Sequence, residues 1–128
     1  FSVLVFGGLN EKEKQEKLFN KIKKKGLQIY KNNPHNSDLE FAALVNICKI
    51  MICSDSFSIH VSLALRKPAI GLFFCTSPNE IEDYGFLRKL ISPQLYEFFP
   101  EKMDKYDEEL TRSITVNNVL YVMQSMLK

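Results

Sequence analysis

DSFSIHVSLALRKP, residues 55–68, stands between two apolar runs. The run before it, Ile50-Met51-Ile52-Cys53, has the composition of a buried strand. Within the stretch, Ile59, Leu63 and Ala64 share one helical face, with Val61 and Leu65 beside it. Pro68 cannot continue a helix, and Ala69-Ile70-Gly71-Leu72-Phe73-Phe74 follows as a second buried strand. Strand, polar turn, helix and strand make a βαβ unit. Its turn gathers Asp55, Ser56, Ser58 and His60 where a strand end meets a helix start. In open α/β sheets that crevice is where ligands bind.

Working outward, the same alternation runs along the chain. Residues 2–6 form a short apolar run that ends at Gly7-Gly8, a strand and its turn. Residues 11–25 read as a surface helix with a narrow apolar stripe at Leu18, Phe19 and Ile22, stopped by Gly26. A third short strand covers residues 27–30, and KNNPHN, residues 31–36, is a polar loop that leaves His35 solvated. Ser37 and Glu40 have capping-box spacing. The helix they open, LEFAALVNIC, is apolar almost all round and is expected to be heavily buried. Beyond Phe74, residues 76–79 form a loop and residues 80–90 a short helix. Residues 92–100 are irregular, and 101–109 charged and exposed. Thr115 caps a last helix with Val116, Val119, Leu120, Met123 and Leu127 at helical spacing. The expectation is a small parallel sheet of four strands with helices on both faces, wound right-handedly. Four strands are few for a complete domain of this kind, and Phe1 is not a natural start, so the chain is expected to be a fragment.

Composition narrows the classes. The 128 residues are 45% hydrophobic and 25% charged, the range of one ordinary globular domain rather than a disordered chain. The net charge of +2 is too small to argue for nucleic acid. Lys21, Lys23, Lys24 and Lys25 follow Glu11, Glu13 and Glu16 along one helix, an order that suits the helix dipole. No apolar run is long enough to span a membrane, and no secretory leader is expected. Cys48, Cys53 and Cys75 form no CxxC pair and leave one over under any pairing. They are expected to be reduced, mostly buried thiols of a cytoplasmic protein.

The candidate chemistry sits in two turns. Asp55 and Ser56 are favoured helix caps, and they also stand where a ligand would sit; position alone leaves both roles open. A helix start offers N–H groups to a phosphate, and His60 is near enough to add a hydrogen bond or a charge. The other turn, Gly7-Gly8 with Glu11 behind it, is not GxGxxG and has no Walker lysine. There is no metal-ligand spacing and no nucleophile elbow.

The stretch SDLEFAALVNICKIMICSDSFSIHVSLALRKPAIGLFFCTSP resembles the donor-binding half of family 9 glycosyltransferases, the heptosyltransferases of lipopolysaccharide assembly. Their pattern has a capped helix and an apolar strand, then D-[ST]-G-p-x-H-x-A-x-A-L-x-k-P. Another strand and a G-P-T-x-P loop complete it. Asp55, Ser56, His60, Ala64, Leu65, Lys67 and Pro68 match the central motif in order and spacing, and Thr76 and Pro78 match the last loop. FGGLNEKE resembles the family's GG.pE turn, with Glu11 in the place of a ribose-contacting glutamate. The resemblance covers about residues 3–80 and, more weakly, the final helix.

What the resemblance implies is the C-terminal, Rossmann-like, three-layer α/β/α domain of a GT-B enzyme, with residues 1–128 as one nucleotide-sugar-binding domain. The donor substrate would be a nucleoside-diphosphate sugar such as ADP-heptose, with no metal and no separate cofactor, and the acceptor a glycan or lipopolysaccharide. Asp55 would contact the sugar or its adjoining phosphate. Ser56, His60 and the helix start would hold the diphosphate, with Thr76 in the neighbouring loop and Glu11 on the ribose. No catalytic residue is assigned to this chain. The family's first strand-helix unit and its acceptor domain are not in this sequence, so the chain is expected not to transfer sugar alone. The acceptor domain becomes an implied partner, the full-length enzyme implies proximity to a membrane surface, and an apolar face left uncovered would favour a homodimer. The sequence also departs from the family. Phe57 replaces the motif glycine, Phe74 and Cys75 replace the glycine and proline of G-P-T, and Ser62 replaces an alanine. Those phenylalanines fit a second reading, a non-catalytic binding module of the same fold with a degenerate nucleotide pocket. A third is an unrelated flavodoxin-like domain.

Overall fold

The computed structural model describes residues 1–128, which divide into two compact units, Phe1–Cys48 and Lys49–Lys128. The first runs β1 (Val3–Val5), a 3-10 turn (Leu9–Glu11), α1 (Lys12–Lys23), β2 (Ile29–Lys31) and α2 (Asp38–Ile47). The second runs β3 (Met51–Ser54), α3 (Phe57–Ala64), β4 (Ala69–Phe73), a 3-10 turn (Pro78–Glu80), β5 (Leu87–Ile91), α4 (Leu95–Phe98), α5 (Glu108–Arg112) and α6 (Val116–Met126). Each unit holds a parallel sheet flanked by helices, β1-β2 in one and β3-β4-β5 in the other. The fold is of the Rossmann-like α/β class, as the alternation of strand and helix predicts.

In the second unit β4 is the central strand, in register with β3 from Met51↔Ala69 to Ser54↔Leu72 and with β5 from Ala69↔Leu87 to Phe73↔Ile91. A strand with neighbours on both sides must be apolar on both faces, and Ala69, Ile70 and Phe73 are fully buried. Ile59 of α3 reaches the face that Gly71 and Phe73 share, and α6 packs on β4 and β5. Gly71 lets α3 come close: a Cβ there would meet Ile59 Cδ1 and the Phe73 ring at 2.8 Å each. Both neighbours are fully buried and cannot swing out. Gly71→Ala is therefore expected to lower the stability of this unit by about 1–3 kcal/mol, read by urea unfolding. A wild-type midpoint in the variant would show that α3 has slack against β4.

The first unit has a polar centre. Gln15 of α1 and Asn32, just after β2, are buried at 4% and 6% exposure. Gln15 Nε2 donates to the Val5 carbonyl at 2.9 Å and to Asn32 Oδ1 at 2.7 Å. Asn32 Oδ1 also accepts the Gly7 N–H at 2.9 Å, and its Nδ2 donates to the Gly7 carbonyl and to Asn36 Oδ1, both at 3.2 Å. One amide thus ties the end of β1 to β2 and to the loop that leads into α2. Apolar packing around this centre is thin: Phe6 meets Phe41 edge-on at 5.0 Å, and the Phe19 ring lies under the Lys31 ammonium at 4.9 Å.

Five expectations need correction. Residues 80–90 are not a helix; a turn at Asp83–Phe86 ends the crossover, and Leu87–Ile91 pairs with β4 as a fifth strand. The strands form two sheets rather than one of four. The helix α2 is not heavily buried: Val45 alone is buried in it, while Leu39 and Ile47 are 84% and 74% exposed. The three cysteines are half-buried rather than mostly buried. Residues 92–100, read as irregular, contain the short helix α4. The caps at Ser37 and Thr115 and the stop at Gly26, with φ +74°, are as read.

Candidate functional site

The C-terminal ends of β3 and β4 lie side by side because the strands are parallel and adjacent. Asp55 and Ser56 continue β3 into α3, and Thr76 follows β4 after Phe74 and Cys75. Asp55, Ser56 and Thr76 are half-buried, while His60, one turn into α3, is exposed. The sheet thus brings Asp55, Ser56 and Thr76 to one end of the second unit. His60 borders a groove running down α3, lined also by Leu63, Arg66, Glu80, Tyr84 and Phe86, with a volume of about 710 Å³. Glu11 belongs to the first unit.

Whether this turn is only a cap can be tested against the other helices. Ser37, Asp107 and Thr115 each accept an N–H of their helix's first turn through the side chain. Ser56 occupies the same N-cap position of α3 and does not. Its hydroxyl turns back and donates to the Ser54 carbonyl at 3.2 Å. The side chains of Asp55, His60 and Thr76 make no hydrogen bond or ion pair within the chain. The start of α3 therefore carries the positive end of a helix dipole that no side chain of its N-cap serves. A carboxylate, a hydroxyl and a helix start grouped in this way can accept from sugar hydroxyls and donate to phosphate oxygens. Phe57, the first residue of α3, is 54% exposed beside them.

The glycine turn of the first unit works differently. The Gly7 N–H is already taken by Asn32, and a Cβ on Gly7 would lie 3.0 Å from Gln15 Cβ, so this glycine serves close packing of α1 on β1. Glu11 is exposed, and its Oε2 accepts the Gly8 N–H at 3.0 Å. That bond fixes the direction of the carboxylate without burying it.

Cys53, two residues before Asp55, records how dry the strand end is. Burial pushes its thiol up to about 11 from the ordinary 9.0. The neutral thiol is favoured in the folded chain, so the stability it contributes is full below pH 9.0 and is lost as pH rises through about 11. Wild-type protein is expected to lose on the order of 2 kcal/mol over that window from this group, and Cys53→Ala to lose that much less. Parallel pH profiles of urea unfolding for the two proteins would contradict it.

Two residues of the groove escaped the sequence reading. Arg66 and Tyr84 are the non-glycine residues with positive φ, at 55° and 48°, one just past the C-cap of α3 and the other in a tight turn, places where glycine or asparagine is favoured. The Asp-x-Gly spacing at Asp83–Gly85 was the available sign of the second. No three His, Cys, Asp or Glu side chains gather as metal ligands do. No helix is long and apolar enough to cross a membrane.

Comparison with curated proteins and with solved structures found no match. The family profile described as glycosyltransferase family 9 (heptosyltransferase) matches residues 1–108. That span includes both strand-to-helix turns, the Asp55–Pro68 motif and the Thr76 loop, and it covers most of the 128 residues. The chain belongs to glycosyltransferase family 9.

Proposed function

We propose that this chain binds the donor of a glycosyl transfer, a nucleoside-diphosphate sugar whose sugar is heptose-like, for passage to a glycan or lipopolysaccharide acceptor. In this reading residues 1–128 act as one donor-binding domain. The first-turn amides of α3, Ser56 and His60 hold the diphosphate. Asp55 accepts from sugar hydroxyls, and Thr76 donates to the donor from the next loop. The chemistry asks for such a set. As the glycosidic bond to the diphosphate breaks, negative charge grows on the leaving phosphate, and oriented N–H groups stabilise it without reorganising. His60 adds a donor on the same side.

The observation that carries the reading is the start of α3. In a family 9 chain, Asp55 has no partner and the N-cap serine turns away from its own helix. Titration calorimetry with nucleoside diphosphates and nucleotide sugars tests it. Binding of at least one of them, tighter for the sugar nucleotide than for the bare diphosphate, is the expected result. Heat from none of the panel would remove the donor reading. It would favour instead a binding module with a closed pocket, which the exposed Phe57 ring at the helix start supports.

A further inference from the structure

Lys89 lies in the middle of β5, opposite Gly71 of β4, and is only half-buried. It has no carboxylate partner. Its ammonium donates instead to two main-chain carbonyls of the β4–β5 crossover, Pro78 O at 2.6 Å and Ile81 O. An ammonium on two carbonyls is a charge-assisted pair of bonds, stronger than neutral ones, and it acts on backbone rather than on a side chain that could swing away.

The crossover it holds is the segment that carries Thr76. Pro78 is buried, Ser77 caps the 3-10 turn by accepting the Asn79 N–H at 3.4 Å, and Ile81 is buried at the other end. The residues from Phe74 to Ser77 then have one fixed end at β4 and another at Pro78. Cys75 Sγ within the segment also donates to the Met103 carbonyl at 3.4 Å, so Thr76 stands between that bond and the Pro78 anchor. Loops between strands are ordinarily the mobile part of such a sheet, and here a lysine of the neighbouring strand binds the loop's main-chain oxygens.

We propose that Lys89 is a positioning residue for the candidate donor site: by holding the Pro78 and Ile81 carbonyls it fixes the Thr76 loop against the start of α3. The inference rests on the donor reading given above. It makes Lys89 matter to affinity although its ammonium is bound to the protein and not to a ligand.

The test compares wild type, Lys89→Met and Lys89→Arg, each first shown folded by circular dichroism at the temperature used. Amide hydrogen exchange of residues 74–81 is read without ligand, and the nucleotide sugar that binds wild type best in the calorimetric panel is then titrated. Lys89→Met is expected to speed exchange across the loop at least tenfold and to weaken donor binding at least fivefold. Lys89→Arg, which can still donate to both carbonyls, is expected to restore most of each. If Lys89→Met fails to fold, Lys89→Gln takes its place, since it keeps one shorter donor. Wild-type binding with unchanged affinity in the folded methionine or glutamine variant overturns the inference and leaves the donor reading standing. A wild type that binds no nucleotide sugar removes the donor reading, and the inference with it.

Discussion

Asn32→Leu is expected to unfold the first unit. The substitution keeps the volume and removes every hydrogen bond of the amide. The Gly7 N–H and Gln15 Nε2 would lose the oxygen they share, and the Gly7 carbonyl would lose its donor, all in buried positions. Gln15 Nε2 keeps the Val5 carbonyl, so the Gly7 N–H and carbonyl are the groups left unpaired; at about 1–3 kcal/mol for each, their loss costs roughly 2–6 kcal/mol. Whole small domains are stable by only about 5–15 kcal/mol, and the apolar core here is thin, with Val45 as its one buried aliphatic side chain. Backbone NMR should show residues 1–48 collapsing to unfolded shifts while residues 49–128 keep theirs. Asn32→Asp is the control. It keeps the acceptor for Gly7 and Gln15 but sets a second oxygen against the Gly7 carbonyl and Asn36 Oδ1, so it is expected to stay folded only at low pH, where the protonated carboxyl can still donate. A fully folded Asn32→Leu would mean that the network is decoration.

Asp55→Ala is expected to do the opposite: to leave stability alone and remove binding. The carboxylate has no partner within the chain, so its loss breaks nothing in the fold. Hydrogen bonds to a charged group contribute about 1.5–3 kcal/mol, which converts to roughly a 10- to 150-fold weaker complex with a nucleotide sugar. Asp55→Asn, which keeps one acceptor oxygen, is expected to fall between. The bare nucleoside diphosphate should lose much less than the sugar nucleotide in both variants, because Asp55 is assigned to the sugar. Equal losses for both ligands would place Asp55 on the diphosphate. Unchanged affinities would place the ligand elsewhere.

The central βαβ unit was legible because its residues agree at every level. Apolar runs bound both sides, the helix has one apolar face, and Pro68 ends it. The fifth strand was not. Glu80, Ile81, Leu87 and Leu90 fall at spacings that a helix can use, and only the turn at Asp83–Gly85 interrupts them. There the Asp83 carboxylate accepts the Gly85 N–H at 2.8 Å, and Tyr84 and Gly85 both take positive φ, so the chain turns and enters the sheet beside β4. The polar centre of the first unit was hidden for a different reason. Gln15 sits in a helix that looks solvated, and Asn32 in a stretch that looks like a loop. Hydrophobic periodicity contains nothing that marks a polar residue as buried. At the candidate site, residue types and spacing pointed to Asp55, Ser56 and His60. Only coordinates could show that Ser56 bonds to the Ser54 carbonyl instead of capping its helix. That difference turns an open question between cap and site toward a site.

A donor site at the start of α3 shows itself most directly in where a nucleotide sugar touches the chain. Amide chemical-shift mapping of the labelled protein, titrated with the sugar nucleotide that binds best, reads this residue by residue. The largest shifts are expected at the start of α3, Ser56 to Ser58, with Asp55 and Thr76 moving beside them. Shifts confined to other surfaces, with the amides of residues 55–58 unmoved at saturation, would contradict it.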